Sequence, residues 1–250
     1  MNRVTRRSFV TTVGAATVVP ASALLSTTSG AAAAAAAAKN PRAAQPAGEA
    51  YLFFNAAEVR FIEPACERLI PADESGPGAL AAGVPNYLDK QLGGAWGAGE
   101  RLYRDGPWQP GTSTQGYQLP FTPAELFHVS LRAIDRGLGA HGKSFAGMSA
   151  DAQDDYLKSL EAAAHDLDGV PSAVFFDVLL MMSIEGFFSD PVYGGNRDMA
   201  AWRMIGFPGA YADYLEAVDG QGVKFVRQPM SLGENARGHI HPSQDVPANL

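Results

Sequence analysis

Pro171-Ser172-Ala173-Val174-Phe175-Phe176-Asp177-Val178-Leu179-Leu180-Met181-Met182-Ser183-Ile184-Glu185-Gly186-Phe187-Phe188 is the most apolar run downstream of residue 50. Its apolar side chains recur at every angle around a helix instead of along one stripe. A helix of that kind is buried on all sides, in a core or against a partner. In a domain this small, a partner is a natural cover for one face. Such a helix needs other helices around it, and the flanking sequence supplies them.

Upstream, Asn55-Ala56-Ala57-Glu58 has the form of a capping box, in which Asn55 accepts a backbone N–H and Glu58 reaches back. The stripe Val59, Ile62, Cys66, Leu69 follows, and Pro64 inside it is predicted to kink this helix or delay its start. Residues 79–92 give a second pattern through Leu80, Val84, Tyr87, Leu88 and Leu92, interrupted at Gly83 and Pro85. The stretch to Pro120 is rich in loop residues, and its Trp96, Tyr103, Trp108 and Tyr117 read as satellite core. Thr122-Pro123-Ala124-Glu125 combines an N-cap, a proline at the first helical position and a glutamate at the third. That helix runs through Leu126, Phe127, Val129, Leu131 and Ile134 to a stop at Gly137 or Gly139. Ser149 caps another, with Tyr156, Leu157 and Leu160 on its apolar side.

Beyond the apolar run, Ser189 to Gly195 is turn-rich. Asp198 is expected to cap a short helix through Met199, Trp202 and Ile205, ending at Gly206, and a further helix is expected near residues 210–218. No run of alternating strands appears. The fold class is mainly α: a single compact multi-helix domain with long loops, preceded by a signal peptide and linker.

The leader reads Thr5-Arg6-Arg7-Ser8-Phe9, ahead of a short apolar stretch diluted by Thr, Gly, Pro and Ser. Arg6, Arg7 and Phe9 form a twin-arginine export signal, an address read by the twin-arginine translocase and not an anchor. The expected organisation is signal peptide and alanine run over 1–35, flexible linker over 36–50, helical domain over 51–228 and extended tail over 229–250. The expected location is periplasmic or otherwise exported.

Nineteen basic residues stand against 26 acidic ones. Three of the basic residues lie in the leader, ahead of every acid, so the remainder carries a net charge of −10. That sign disfavours nucleic acid and anionic membrane surfaces as partners. One cysteine, Cys66, excludes an internal disulfide and a Cys-x-x-Cys-His haem attachment within this chain. Its position on an apolar stripe suits a buried thiol, and an intermolecular disulfide is the alternative. The richest glycine stretch, residues 93–99, lacks the dinucleotide-binding spacing and a preceding strand. No phosphate loop and no Gly-x-Ser-x-Gly elbow is present. His239 and His241 are too few for a metal site, and no metal ligands are assigned.

Three segments carry a family resemblance. They are Phe61 to Asp73 with Gly76-Pro77-Gly78-Ala79 and Ala82-Gly83-Val84; Phe187-Phe188-Ser189-Asp190-Pro191-Val192-Tyr193-Gly194-Gly195-Asn196-Arg197-Asp198; and Trp202-Arg203-Met204-Ile205-Gly206-Phe207-Pro208-Gly209-Ala210. With the leader, they resemble the gluconate 2-dehydrogenase subunit 3 family over roughly residues 50–215, the last two being the most specific. The resemblance implies a non-catalytic small subunit of an exported dehydrogenase complex oxidising a sugar, sugar acid or alcohol. FAD would lie in a large partner of the glucose-methanol-choline (GMC) type, and haem c in a possible multihaem cytochrome subunit. No cofactor is expected in this chain, which would escort the flavoprotein through export.

Within the second and third segments, Pro191, Gly194, Gly195 and Asn196 favour a tight loop with positive φ angles. Asp190 and Asp198 can cap neighbouring helices, and Arg197 offers a fork of donors. This loop either stabilises the domain or grips the catalytic subunit through Asp190, Tyr193, Gly194, Gly195, Asn196, Arg197 and Trp202. Two other readings stay open: a stand-alone exported enzyme with an unrecognised site, and a metal binder using His239 and His241.

Overall fold

Side-chain capping sets where three of the six helices described begin. The computed structural model of the chain describes residues 50–109, 111, 112, 115, 118–210 and 228–233. Helix α1 spans Ala56–Leu69, and both halves of its capping box form: the Asn55 side chain accepts from Ala57 and Glu58, and Glu58 accepts from the Asn55 N–H. Pro64 lies inside α1, which continues through it. Helix α2, Val84–Leu92, starts later than residue 79. Gly83 is its N-cap at φ 74° and Pro85 sits in its first turn, so the two residues read as interruptions mark the true start.

Helix α3 covers Pro123–Gly139 behind the Thr122/Glu125 capping box. A 3-10 turn at Phe145–Gly147 leads to α4, Ala150–Glu161, capped by Ser149. A minimal hairpin follows: β1 Asp166–Leu167 pairs antiparallel with β2 Val170–Pro171. Asp168 and Gly169 form its two-residue turn, both at positive φ. Asp-Gly is the usual chemistry of such a turn, set here between two helical patterns.

Helix α5, Ser172–Phe188, is the apolar run. It packs against α4 and α2 and also touches α1, α3 and α6, the last spanning Ala200–Ile205. Phe175, Leu179, Met182 and Phe187 are fully enclosed. The Phe175 ring meets Phe127 of α3 edge-on at 5.3 Å, a favoured aromatic geometry. One stripe departs from all-round burial: Asp177, Met181 and Glu185, four residues apart, face solvent. The fold is thus mainly α, with one core built around α5.

Two aromatic residues expected in satellite core are exposed instead: Trp96 lies at the surface and Tyr103 more so. Tyr117, the expected helix near 210–218 and residues 1–49 with their export signal lie outside the described residues. Residues 228–233 are extended but packed: Ala210 N–H donates to the Met230 carbonyl at 2.6 Å and Met230 N–H to that of Pro208 at 3.1 Å. No described helix is long and apolar enough to cross a membrane.

Candidate functional site

The three sequence segments singled out above, far apart in the chain, meet at one joint. Arg197 N–H donates to the Ala82 carbonyl at 3.0 Å. A Cβ on Gly83 would stand 3.0 Å from the Gly194 carbonyl oxygen and 3.5 Å from the Arg197 guanidinium. A Cβ on Gly76 would meet Met204 Sδ at 2.8 Å. The second segment thus leans on the first, and the third on the first.

The second segment holds its shape from within. Asn196 is fully buried; its Nδ2 donates to the Ser189 carbonyl and its Oδ1 accepts from Ala201 N–H, each at 2.9 Å. It therefore does the capping work expected of Asp198, which sits exposed at φ 57° without a capping bond. Asn196 at φ 45° and Met199 at φ 53° share that left-handed conformation. Such φ values are costly for a buried methionine and persist only where the surroundings impose them. Gly195 is required by space: a Cβ there would lie 2.0 Å from the Gly186 carbonyl oxygen. Trp202 is buried, and its Nε1 donates to the Phe188 carbonyl at 2.8 Å.

Asp190 fastens two pieces of chain. One carboxylate oxygen accepts from Val192 N–H at 3.0 Å, capping the 3-10 turn Pro191–Tyr193. The other accepts from Leu232 N–H at 2.8 Å. The candidate residues thus divide by role. Gly195, Asn196 and Trp202 are internal to the joint, Asp190 ties it, and Tyr193 presents its ring to solvent.

Around this fixed loop lie apolar side chains that sequence reading did not single out. Val192, Ile205, Phe207 and Leu232, with Tyr193, are between 44% and 64% exposed. With Met204, they supply six of the eleven large hydrophobic residues exposed among those described. Asp190 brings Val192 beside Leu232, and Phe207 stacks edge-on against Trp202 at 5.1 Å. Exposed apolar groups gathered in neighbouring segments mark interaction surfaces.

Cys66 is free and fully buried, with its Sγ 3.8 Å from Ser183 Oγ. Burial pushes the thiol up to about 12 from 9.0, with the Ser183 hydrogen bond opposing. A buried thiol of this kind packs as a small hydrophobe. His239 and His241 lie outside the described residues, among which no group of three His, Cys, Asp or Glu side chains could hold a metal. A surface cleft between α1 and α3 holds about 220 Å³, below the roughly 300–1,000 Å³ of drug-sized ligand pockets. It does not fit a dinucleotide.

The polar loop residues are spent on holding the joint together, and a partly apolar surface lies around it. The sequence model of the gluconate 2-dehydrogenase subunit 3 family matches residues 56–209, and the chain belongs to that family. It is accordingly a subunit of a dehydrogenase complex. No curated protein and no solved structure matches it.

Proposed function

We propose that this chain is the non-catalytic small subunit of an exported, FAD-dependent dehydrogenase of the GMC type, which oxidises a sugar, sugar acid or alcohol. In this reading it folds onto the flavoprotein in the cytoplasm. Arg6 and Arg7 carry the pair through the twin-arginine translocase, and the chain then stabilises the flavoprotein in the periplasm. FAD belongs to the large subunit, and haem c to a cytochrome subunit where one completes the complex.

The observation that carries the reading is the rigid joint at residues 187–210, with exposed Val192, Tyr193, Ile205 and Phe207 around it. A preformed loop loses little conformational freedom on docking, which favours tight association. The leader explains why such a subunit would use a route for folded cargo.

The test is to express the large subunit with the full chain, without it, and with Arg6 and Arg7 both replaced by lysine. Flavoprotein should reach the periplasm only with the unaltered chain. Normal export in its absence would overturn the escort role.

A further inference from the structure

We propose that the cleft between α1 and α3 binds a small amphiphilic carboxylate, an organic acid with a short aromatic or aliphatic body. The inference is independent of the dehydrogenase reading. In a chain with 26 acids and 19 bases, this cleft gathers three arginines. Arg60 comes from α1; Arg132 and Arg136 come from α3, four residues apart and so on one helix face. Phe61, Leu131, Ile134 and Phe145, all buried, supply apolar lining.

The carboxylates nearby leave these cations under-used. Glu58, also in the lining, is committed: one oxygen takes His128 Nδ1 at 2.6 Å and the other the Asn55 N–H at 3.0 Å. Arg136 pairs with Asp168. Arg132 Nε donates to the His128 carbonyl at 3.2 Å, which leaves its terminal nitrogens to other acceptors. Among the described residues, neither Arg60 nor Arg132 has a carboxylate within ion-pair distance. Asp135 is the one uncommitted acid in the lining.

Each half of the cleft selects part of the ligand. Guanidinium forks match a carboxylate through paired N–H donors. An apolar lining favours a body that removes hydrocarbon surface from water. Inorganic phosphate would leave the lining uncovered, and a neutral hydrocarbon would leave the guanidiniums without an acceptor. The volume of about 220 Å³ limits the body to roughly one ring with a short arm.

The experiment titrates the full chain with phenylacetate, its neutral isostere phenylacetamide and inorganic phosphate, following amide and methyl NMR shifts. Phenylacetate should give saturable shifts at Phe61, Ile134, Leu138 and Phe145 with Kd near about 1 mM. Phenylacetamide, phosphate and phenylacetate on the Arg60→Gln/Arg132→Gln chain should each bind at least about tenfold more weakly. Absence of saturable shifts at those residues up to about 10 mM phenylacetate would overturn the proposal. So would equal affinity for the amide or for phosphate. An unchanged affinity in the double variant would also overturn it, and the isostere comparison stands even if that variant fails to fold.

Discussion

The backbone N–H of Arg197 donates to the carbonyl of Ala82 at 3.0 Å, joining the start of α2 to the loop after α5. Backbone groups make this bond, so no side-chain pattern announces it. It puts Gly83 against Gly194 and makes two sequence segments into one joint.

Gly195→Ala should be among the most damaging small substitutions. Its Cβ would lie 2.0 Å from the Gly186 carbonyl oxygen and 2.8 Å from the carbonyl carbon, and backbone cannot yield as a side-chain tip can. A loss of about 3 kcal/mol is expected from urea denaturation. Gly137→Ala, inside α3 with nothing within 4 Å of its Cβ, should instead gain about 0.5–1 kcal/mol.

Asp89→Ala should free the entry of the domain. One Asp89 oxygen accepts from Phe53 N–H and Phe54 N–H, each at 2.9 Å, and the other from Leu52 N–H at 2.8 Å. Removing the carboxylate orphans three donors, at a cost of about 3 kcal/mol. Hydrogen exchange at residues 52–54 should accelerate. Asp89→Asn keeps an oxygen for Phe53 and Phe54 and should lose less.

Stability should fall in alkali, beginning with Cys66. Burial holds its proton up to about 12 in the folded chain, against 9.0 for an ordinary thiol. The contribution is therefore complete below pH 9 and declines as pH rises from 9 towards 12. Tyr87, raised by burial and by Glu185, and Tyr156, raised by burial, both move from 10.0 to about 12 and steepen the decline above pH 10. Denaturation across pH 8–11 should show a shallower decline from pH 9 in Cys66→Ala, at a cost of about 1 kcal/mol at neutral pH. Thiol labelling at pH 8 should be slow until the chain unfolds.

Val192→Asp and Phe207→Asp should separate folding from association. Both side chains are about half exposed, so stability should shift by only about 0.5 kcal/mol. Binding to the proposed large subunit, followed by co-purification and titration, should weaken at least about tenfold. Tyr103→Asp, exposed on a different loop, should leave binding unchanged.

Local chemistry was legible in the sequence. The capping boxes at Asn55 and Thr122 and the Ser149 cap each depend on residues within one helical turn, and all three form. Context decided the rest. Pro64 reads as a kink or a delayed start, and α1, packed against α5 and α3, already begins at Ala56 and contains it. Asp198 reads as a cap, but the buried Asn196, itself left-handed, accepts from Ala201 N–H instead. No propensity places a methionine at φ 53°; tertiary contacts do. Residue type alone makes Tyr193 a candidate for a partner face, and its exposure is a separate finding of the structure. Val192 and Phe207 are not candidates by type, because an apolar residue in sequence does not disclose its exposure. The three-arginine cleft was equally hidden, since Arg60 and Arg132 are brought together only by helix packing.

The order in which the chain emerges during synthesis gives α5 a further significance. Helices α1 to α4, against which it packs, all precede it. Four of its five helix neighbours, all but α6, are therefore already made when the most aggregation-prone segment leaves the ribosome. Domains fold in this vectorial manner, and exposed apolar surface is most hazardous while it waits for a partner. Moving the α5 segment ahead of α1 by circular permutation would keep the same contacts while reversing that schedule. The yield of soluble protein, not its final stability, should register the difference.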